Sequence, residues 1–319
     1  MFKEYIRDFS FHRFRGELEE FTKNSPLCVW CVKLVFFPYI FLRHLFLLRR
    51  ARVEFDHLET VLTTKCSLNC RNCANLMQYY KEGFSFPPEE VIKDVKDLLA
   101  LTDHVNEFGI IGGEPFLHPS VEDVAEILCG SKKIKNVIIV TNGTIIPERE
   151  IMERLAKCRN LEVQISNYNH IARVRTNEVY RAFLNAGVNV KIITNAWRAY
   201  HFSPPKGKSV PELEATFRKC LKCNELFDGA IHFCPTSSNG MKCGFVPHRA
   251  EDYCSIRLDG TKKQYWERKY ALASFLKNTT WICACDQCEN SRENEVIPIA
   301  EQLPKNVYIA PDGSEQKRK

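Results

Sequence analysis

Three thiols stand close together in Thr64-Lys65-Cys66-Ser67-Leu68-Asn69-Cys70-Arg71-Asn72-Cys73. Their spacing puts three soft ligands on one short loop, a pattern that suits zinc or an iron–sulfur cluster. A cubane cluster has four irons, so three protein thiolates leave one iron open to chelate a substrate or cofactor. A structural zinc loop is the alternative that these thiols alone leave open. A second group follows at Ile111-Gly112-Gly113-Glu114-Pro115. Paired glycines let backbone approach a ligand closely, and Glu114 can accept a hydrogen bond from an ammonium group. Alone, this segment also reads as a turn before a helix.

The elements around these groups decide between the readings. Leu58 to Leu62 reads as a strand that delivers the chain to the thiol loop. Pro87-Pro88-Glu89-Glu90 opens a helix to about Leu101, with proline near its first turn and acids at its positive end. Phe108 to Ile111 ends a second strand, and Val121 to Leu128 is a helix. Val137 to Val140 is a short apolar strand of the kind buried on both faces, and Arg149 to Cys158 is a helix. Leu161 to Ile165, Glu178 to Asn185 and Val188 to Ile193 continue the alternation, with Gly187 stopping the last helix. Alternating strands and helices predict a parallel sheet with helices outside, closed into a barrel or partial barrel, with a sixth strand to come later. Chemistry in such folds sits at the C-terminal ends of the strands. Both groups fall there, as do Thr141-Asn142-Gly143 after the third strand and Ser166-Asn167-Tyr168 after the fourth.

Past Ser203-Pro204-Pro205-Lys206-Gly207-Lys208, which reads as a linker, cysteines become dense: Cys220, Cys223, Cys234, Cys243, Cys254, Cys283, Cys285 and Cys288. Asp228-Gly229 between short apolar runs predicts a hairpin with Cys234 on its returning strand. A thiol pair, a hairpin thiol and a distant pair could together ligate a second centre, either a cluster or zinc. With 15 cysteines in 319 residues, a secreted disulfide framework is the ordinary alternative. The chain's length and lack of a cleavable signal pattern argue against it, and thiols clustered in this way point to metal in a reducing, cytoplasmic compartment.

The first two motifs, in this order at the ends of consecutive strands, resemble those of the radical SAM superfamily over about residues 57–200. The resemblance implies an α/β fold, a partial (β/α)6 TIM-type barrel. It implies a [4Fe–4S] cluster on Cys66, Cys70 and Cys73 whose open iron chelates S-adenosylmethionine. Gly112, Gly113, Glu114 and Pro115 would support the methionine amino group. Thr141, Asn142, Ser166 and Tyr168 would contact the rest of the cofactor, although ordinary strand-to-helix turns have the same composition. The chemistry implied is one-electron cleavage of the sulfonium and hydrogen abstraction by a 5′-deoxyadenosyl radical, with an external electron donor of flavodoxin or ferredoxin type.

The second thiol group resembles the twitch module, a shortened relative of the SPASM domain, through its Gly229-to-Cys234 step. That resemblance implies one auxiliary [4Fe–4S] cluster on Cys234, Cys285, Cys288 and one of Cys220 or Cys223. Cys243 and Cys254 remain over, either as packing thiols or as hydrogen donors to a substrate radical. The organisation expected is a helical segment 1–52, a barrel core 53–205, a cysteine-rich module 206–310 and a disordered tail 311–319.

Residues 1–52 read as helical, with Phe2, Tyr5, Ile6 and Phe9 at helical spacing. The apolar run from Cys28 to Leu48 is interrupted by Lys33, Pro38, Arg43 and His44, which argues against a membrane span. It leaves packing on the main domain, with peripheral membrane contact through residues 28–52 as the alternative. Cys28 and Cys31 are expected to pack. The net charge of +6 is compatible with an anionic substrate, but no dense basic stripe predicts nucleic acid. The function expected is dehydrogenation or epimerisation of a small polar metabolite: a sugar, nucleotide sugar or aminocyclitol. Maturation of a ribosomally made peptide and a non-enzymatic redox or membrane-docking module are the alternatives.

Overall fold

The computed structural model describes residues 51–198, 205–288 and 295–318. The expected N-terminal helix, its expected membrane contact and the expected packing of Cys28 and Cys31 fall outside them. The chain divides at Arg52 and Val53, and Val53–Lys319 is one compact unit.

Its centre is an eight-stranded sheet in the order β5-β4-β3-β2-β1-β7-β8-β9. β1 (Glu54–Val61), β2 (His104–Ile111), β3 (Ile134–Thr141), β4 (Leu161–Ser166) and β5 (Val190–Ile193) are parallel. The sixth parallel strand is β7 (Asn224–Phe227), which adds beside β1 rather than beyond β5. β8 (Ala230–His232) and β9 (Tyr253–Ser255) follow antiparallel. β6 (Trp197–Arg198) leaves the sheet to pair with β10 (Val296–Ile297). The fold is the expected α/β partial barrel, with a hairpin appended to one edge.

Helices α1 (Pro88–Leu101), α2 (Val121–Cys129), α3 (Arg149–Leu155) and α4 (Thr176–Asn185) alternate with the strands. α1 starts as its sequence requires, with Pro88 in its first turn and Glu89 and Glu90 at the positive end. Strand side chains alternate between two faces. Leu58, Phe108, Val137 and Leu161 lie in one register row, and Leu226, opposite Thr60, lies on the same face; all are fully or almost fully buried in the same core as Val95, Leu98 and Val124 of the helices. The residues between them therefore face the barrel interior.

The later helices are α5 (Val210–Lys219), α6 (Pro235–Lys242), α7 (Lys262–Asn278) and α8 (Ala284–Gln287). Leu213, Phe217, Phe233, Met241, Val246 and Ile282 make a second, smaller core. The Asp228-Gly229 turn forms as expected, with φ of 50° and 68° at its two residues. Cys234 does not sit on the returning strand: β8 stops at His232, and Cys234 is the residue before α6. The tail expected to be disordered carries β12 (Glu315–Lys317), paired with β11 (Val307–Ile309). Among the described residues no helix is long and apolar enough to cross a membrane.

Candidate active site

The thiol loop leaves the C-terminal end of β1, and two threonines root it. Thr63 and Thr64 donate their hydroxyls to the Phe84 carbonyl at 2.9 and 3.1 Å. The glycines at the end of β2 lie directly against this root. Gly113 N donates to the Thr63 carbonyl at 2.8 Å, and Glu114 N to the Lys65 carbonyl at 2.9 Å. A Cβ on Gly113 would stand 2.2 Å from the Lys65 oxygen, and one on Gly112 2.5 Å from the Thr63 oxygen. At these glycines the missing side chains make room for the backbone of the thiol loop.

Glu114 is turned into the protein around it. It is fully buried. Its Oε1 accepts from Thr141 Oγ1 at 2.8 Å and Phe116 N at 3.2 Å, and its Oε2 accepts from Asn142 N at 2.9 Å. Burial raises its carboxyl to about 7 against these three donors. The side chain is committed to holding the end of β3 against the loop, and Pro115 starts the short turn beyond it. Thr141 is accordingly buried rather than at a rim. Asn142 serves the loop itself, donating Nδ2 to Ser67 Oγ at 3.0 Å and to Cys66 Sγ at 3.5 Å.

Cys66, Cys70 and Cys73 are all largely withdrawn from water. Burial pushes all three thiols up, Cys70 to about 12, so binding metal must expel their protons. Gln302 Nε2 donates to Cys70 Sγ at 3.0 Å, and Arg173 Nη1 donates to the Ser67 carbonyl at 2.8 Å with its charge facing Cys70. Asn75 Nδ2 holds the Gly112 carbonyl at 3.2 Å. Sequence spacing gave no signal for Arg173 or Gln302, which come from segments far along the chain. Tyr168 lies near Cys70 and Cys73. It hydrogen-bonds Ser166, meets the Trp197 ring edge-on at 5.8 Å, and burial raises its phenol to about 12. Three thiols on one loop, flanked by amide donors and a guanidinium, fit a cluster that carries negative charge on its sulfurs.

The interior face of the sheet is acidic. Register rows place His57, Glu59, Glu107, Gly109, Glu162, Gln164, Lys191 and Glu225 on it. Gly109 leaves room for Glu59, whose Cγ would lie 3.1 Å from a Cβ there. His57 bridges Glu59 and Glu107 at 3.0 Å each, and the Glu59 bond leads in raising its pKa. Lys191 pairs with Glu162 at 2.6 Å. Among the described residues, Glu225 pairs with no cation. It is fully buried, its Oε2 accepts from Ser238 Oγ, and its Oε1 has no partner. Burial raises it to about 8. Tyr80 stands nearby, donating to Asn239 Oδ1 at 2.7 Å and sharing a side-chain hydrogen bond with Cys243.

Four of the later thiols converge. Cys234 is buried in the field of Cys220, Cys285 and Cys288, and Cys285 in that of Cys220 and Cys288. Lys208 Nζ pins the carbonyls of Cys285 and Cys288 at 2.7 Å each. Cys223 instead faces Glu59 and Glu225 as well as Cys220. Cys283 turns to Arg249 at 3.4 Å. Cys254 pairs in register with Ile231 and is buried in the same main core as Ile231, which removes it as a hydrogen donor in the barrel interior. Among the described residues, no group of three or more His, Cys, Asp or Glu side chains closes tightly enough to hold a single metal ion.

With this geometry, the chain's likenesses can be placed. It is 32% identical over 99 residues to the antilisterial bacteriocin subtilosin biosynthesis protein AlbA of Bacillus subtilis, a match covering 31% of this chain and 21% of that protein. It is 27% identical over 107 residues to the mitochondrial GTP 3′,8-cyclase of Arabidopsis thaliana, covering 32% of this chain and 26% of that one. The chain thus spans about a quarter of the length of these relatives. A solved structure, native anSMEcpe with bound AdoMet and Kp18Cys peptide, superposes with a TM-score of 0.44 at 15% identity, over 76% of this chain and 92% of that one. The sequence model described as Radical SAM superfamily matches residues 60–198. That span runs from the last turn of β1, through the thiol loop and the glycine-rich segment, to β6. Residues 60–198 are a radical SAM domain, and the [4Fe–4S] cluster and S-adenosylmethionine of that family are the cofactors it implies.

Proposed function

We propose that the protein removes a hydrogen atom from a small, polyhydroxylated amine of the amino-sugar or aminocyclitol class, and that the outcome is dehydrogenation. The observation that carries this reading is the fully buried carboxylate of Glu225, unpaired with any cation among the described residues, on the acidic interior face in register with Glu59. A buried carboxylate without a cation is costly, and an ammonium group is the partner that relieves it. The same face opposes nucleotides and sugar phosphates, although the chain's overall charge of +6 pointed toward anionic substrates.

The chain's own residues divide the work. Cys66, Cys70 and Cys73 would hold the first cluster, with Ser166 and Tyr168 beside the cofactor and Glu114, Thr141 and Asn142 bracing the loop from beneath. When bound, the reduced cluster and S-adenosylmethionine supply the carbon radical that abstracts hydrogen. Glu225 and Glu59 orient the amine, and the buried interior keeps water away. Cys220, Cys234, Cys285 and Cys288 would hold an auxiliary cluster as acceptor for the second electron, with Cys223 outside the ligand set. An external flavodoxin or ferredoxin would reduce the first cluster. Cys243, hydrogen-bonded to Tyr80, remains the thiol placed to return a hydrogen atom if the outcome is epimerisation.

The match to AlbA favours a second reading, modification of a peptide, in which a lysine side chain would meet the same carboxylates. The test is 5′-deoxyadenosine release by anaerobically reconstituted, reduced protein with streptamine, glucosamine, a lysine-containing peptide, UDP-glucose or GTP. Release stimulated by the amines supports the proposal. Stimulation by the peptide alone replaces it with the second reading, and stimulation by the anionic nucleotides alone refutes both.

A further inference from the structure

The segment Ala300–Arg318 lies across the outer side of the thiol loop, although more than 200 residues separate the two in sequence. Cys70 and Gln302 form an isolated antiparallel bridge. Main-chain bonds run from Arg71 N to the Glu301 carbonyl and from Leu303 N to the Asn69 carbonyl, each at 2.8 Å. The buried Asn69 amide donates to the carbonyls of Pro304 at 2.8 Å and Val307 at 2.9 Å. Arg71 pairs with Glu301 at 3.1 Å and Glu315 at 2.6 Å.

At the centre of this strap, the Gln302 side chain is held at both ends. Its Oε1 accepts from Asn69 N at 3.0 Å. With Oε1 accepting from a backbone N–H, the amide orientation is fixed and Nε2 must be the donor. Nε2 donates to the Ala300 carbonyl at 2.7 Å and to Cys70 Sγ at 3.0 Å. Ala300 adopts φ of 51°, a conformation alanine rarely takes, where the strap turns to present Gln302.

We propose that Gln302 is a positioning residue that sets the reduction potential of the cluster held by Cys70, through the hydrogen bond from its amide to that sulfur. This rests on the proposed assignment of Cys66, Cys70 and Cys73 as cluster ligands. Reduction places one more electron on the cluster and its thiolates. A hydrogen bond to sulfur stabilises that added charge and raises the potential. The strap makes the bond local and rigid, because Asn69, Arg71 and Cys70 are all pinned to it.

The test is an anaerobic redox titration of the reconstituted full-length protein, with dithionite as reductant and the reduced cluster followed by electron paramagnetic resonance. Wild type is compared with Gln302→Leu, which removes the donor at similar volume, and with Gln302→Asn, which keeps the amide but is a methylene too short to bridge Asn69 N and Cys70. Iron and sulfide are counted in each. Both variants should hold the wild-type complement of the first cluster and reduce about tenfold less favourably, a fall of about 59 mV for one electron. An unchanged potential in a fully loaded variant overturns the proposal. So does a loss of cluster in both variants, since Gln302 would then retain the cluster rather than tune it. A wild-type protein that takes up no cluster would instead refute the ligand assignment beneath it.

Discussion

Replacing Glu225 with glutamine should make this protein more stable and less able to bind its substrate. The carboxyl is fully buried, has one oxygen without a partner and, among the described residues, faces no cation. Burial raises it from 4.5 to about 8 in the folded protein. Between those values the native state holds a proton that the unfolded chain has lost, so stability falls as pH rises. Below about 4.5 both states are protonated and the group costs nothing. By pH 8 the accumulated cost is about 4 kcal/mol, at 1.36 kcal/mol for each pH unit of difference in pKa. Glutamine keeps the shape and can still accept from Ser238, but it carries no charge to bury. Urea denaturation of wild type and Glu225→Gln across pH 5 to 9 should give curves that coincide near pH 5 and diverge by a few kcal/mol above pH 8. Parallel curves would show that Glu225 is not a buried, unneutralised acid, and the substrate reading would lose its basis. Stability gained at the expense of binding is the usual mark of a group retained for function.

Gly113→Ala places a methyl 2.2 Å from the Lys65 carbonyl, so the thiol loop must move; anaerobic reconstitution should yield protein lacking the first cluster's iron while far-ultraviolet circular dichroism stays native-like. Cys220→Ser should lower total iron by about four atoms, as expected for one cubane, whereas Cys223→Ser should leave it unchanged; equal loss in both would refute the division between the two thiols. Cys254→Val replaces a buried core thiol with a similar volume and should alter stability by less than about 1.5 kcal/mol, with no effect on 5′-deoxyadenosine release. Tyr80→Phe removes a buried donor from Asn239 and Cys243, and should lower stability by about 1–3 kcal/mol in thermal denaturation.

Much of the frame was legible from local pattern. The apolar strands, Pro88 with its acidic first turn, the Asp228-Gly229 hairpin and the three-thiol loop all depend on residues within a few positions of each other. Local sterics and periodicity fix such features before any tertiary contact forms. The resemblance to a radical SAM domain was carried by two such local motifs, and residues 60–198 bear it out.

Roles that depend on direction were not legible. Sequence placed Gly113 and Glu114 at a strand end but could not say that the glycine faces the Lys65 backbone and the carboxylate faces Thr141 and Asn142. Cys220 and Cys223 are equivalent as text, and only the turn between α5 and β7 sends one toward Cys234 and the other toward Glu59. The tail read as disordered because it is polar and short, yet Arg318 donates to Asn69 and Glu315 pairs with Arg71, bonds that no window of sequence contains. The sequence by itself determined the strands, the hairpin and the thiol loop, because neighbouring residues decide their backbone conformation. The tertiary structure alone decided which acids share the barrel interior and which amide reaches Cys70, because those pairings join residues brought together only when the sheet closes and the strap folds back.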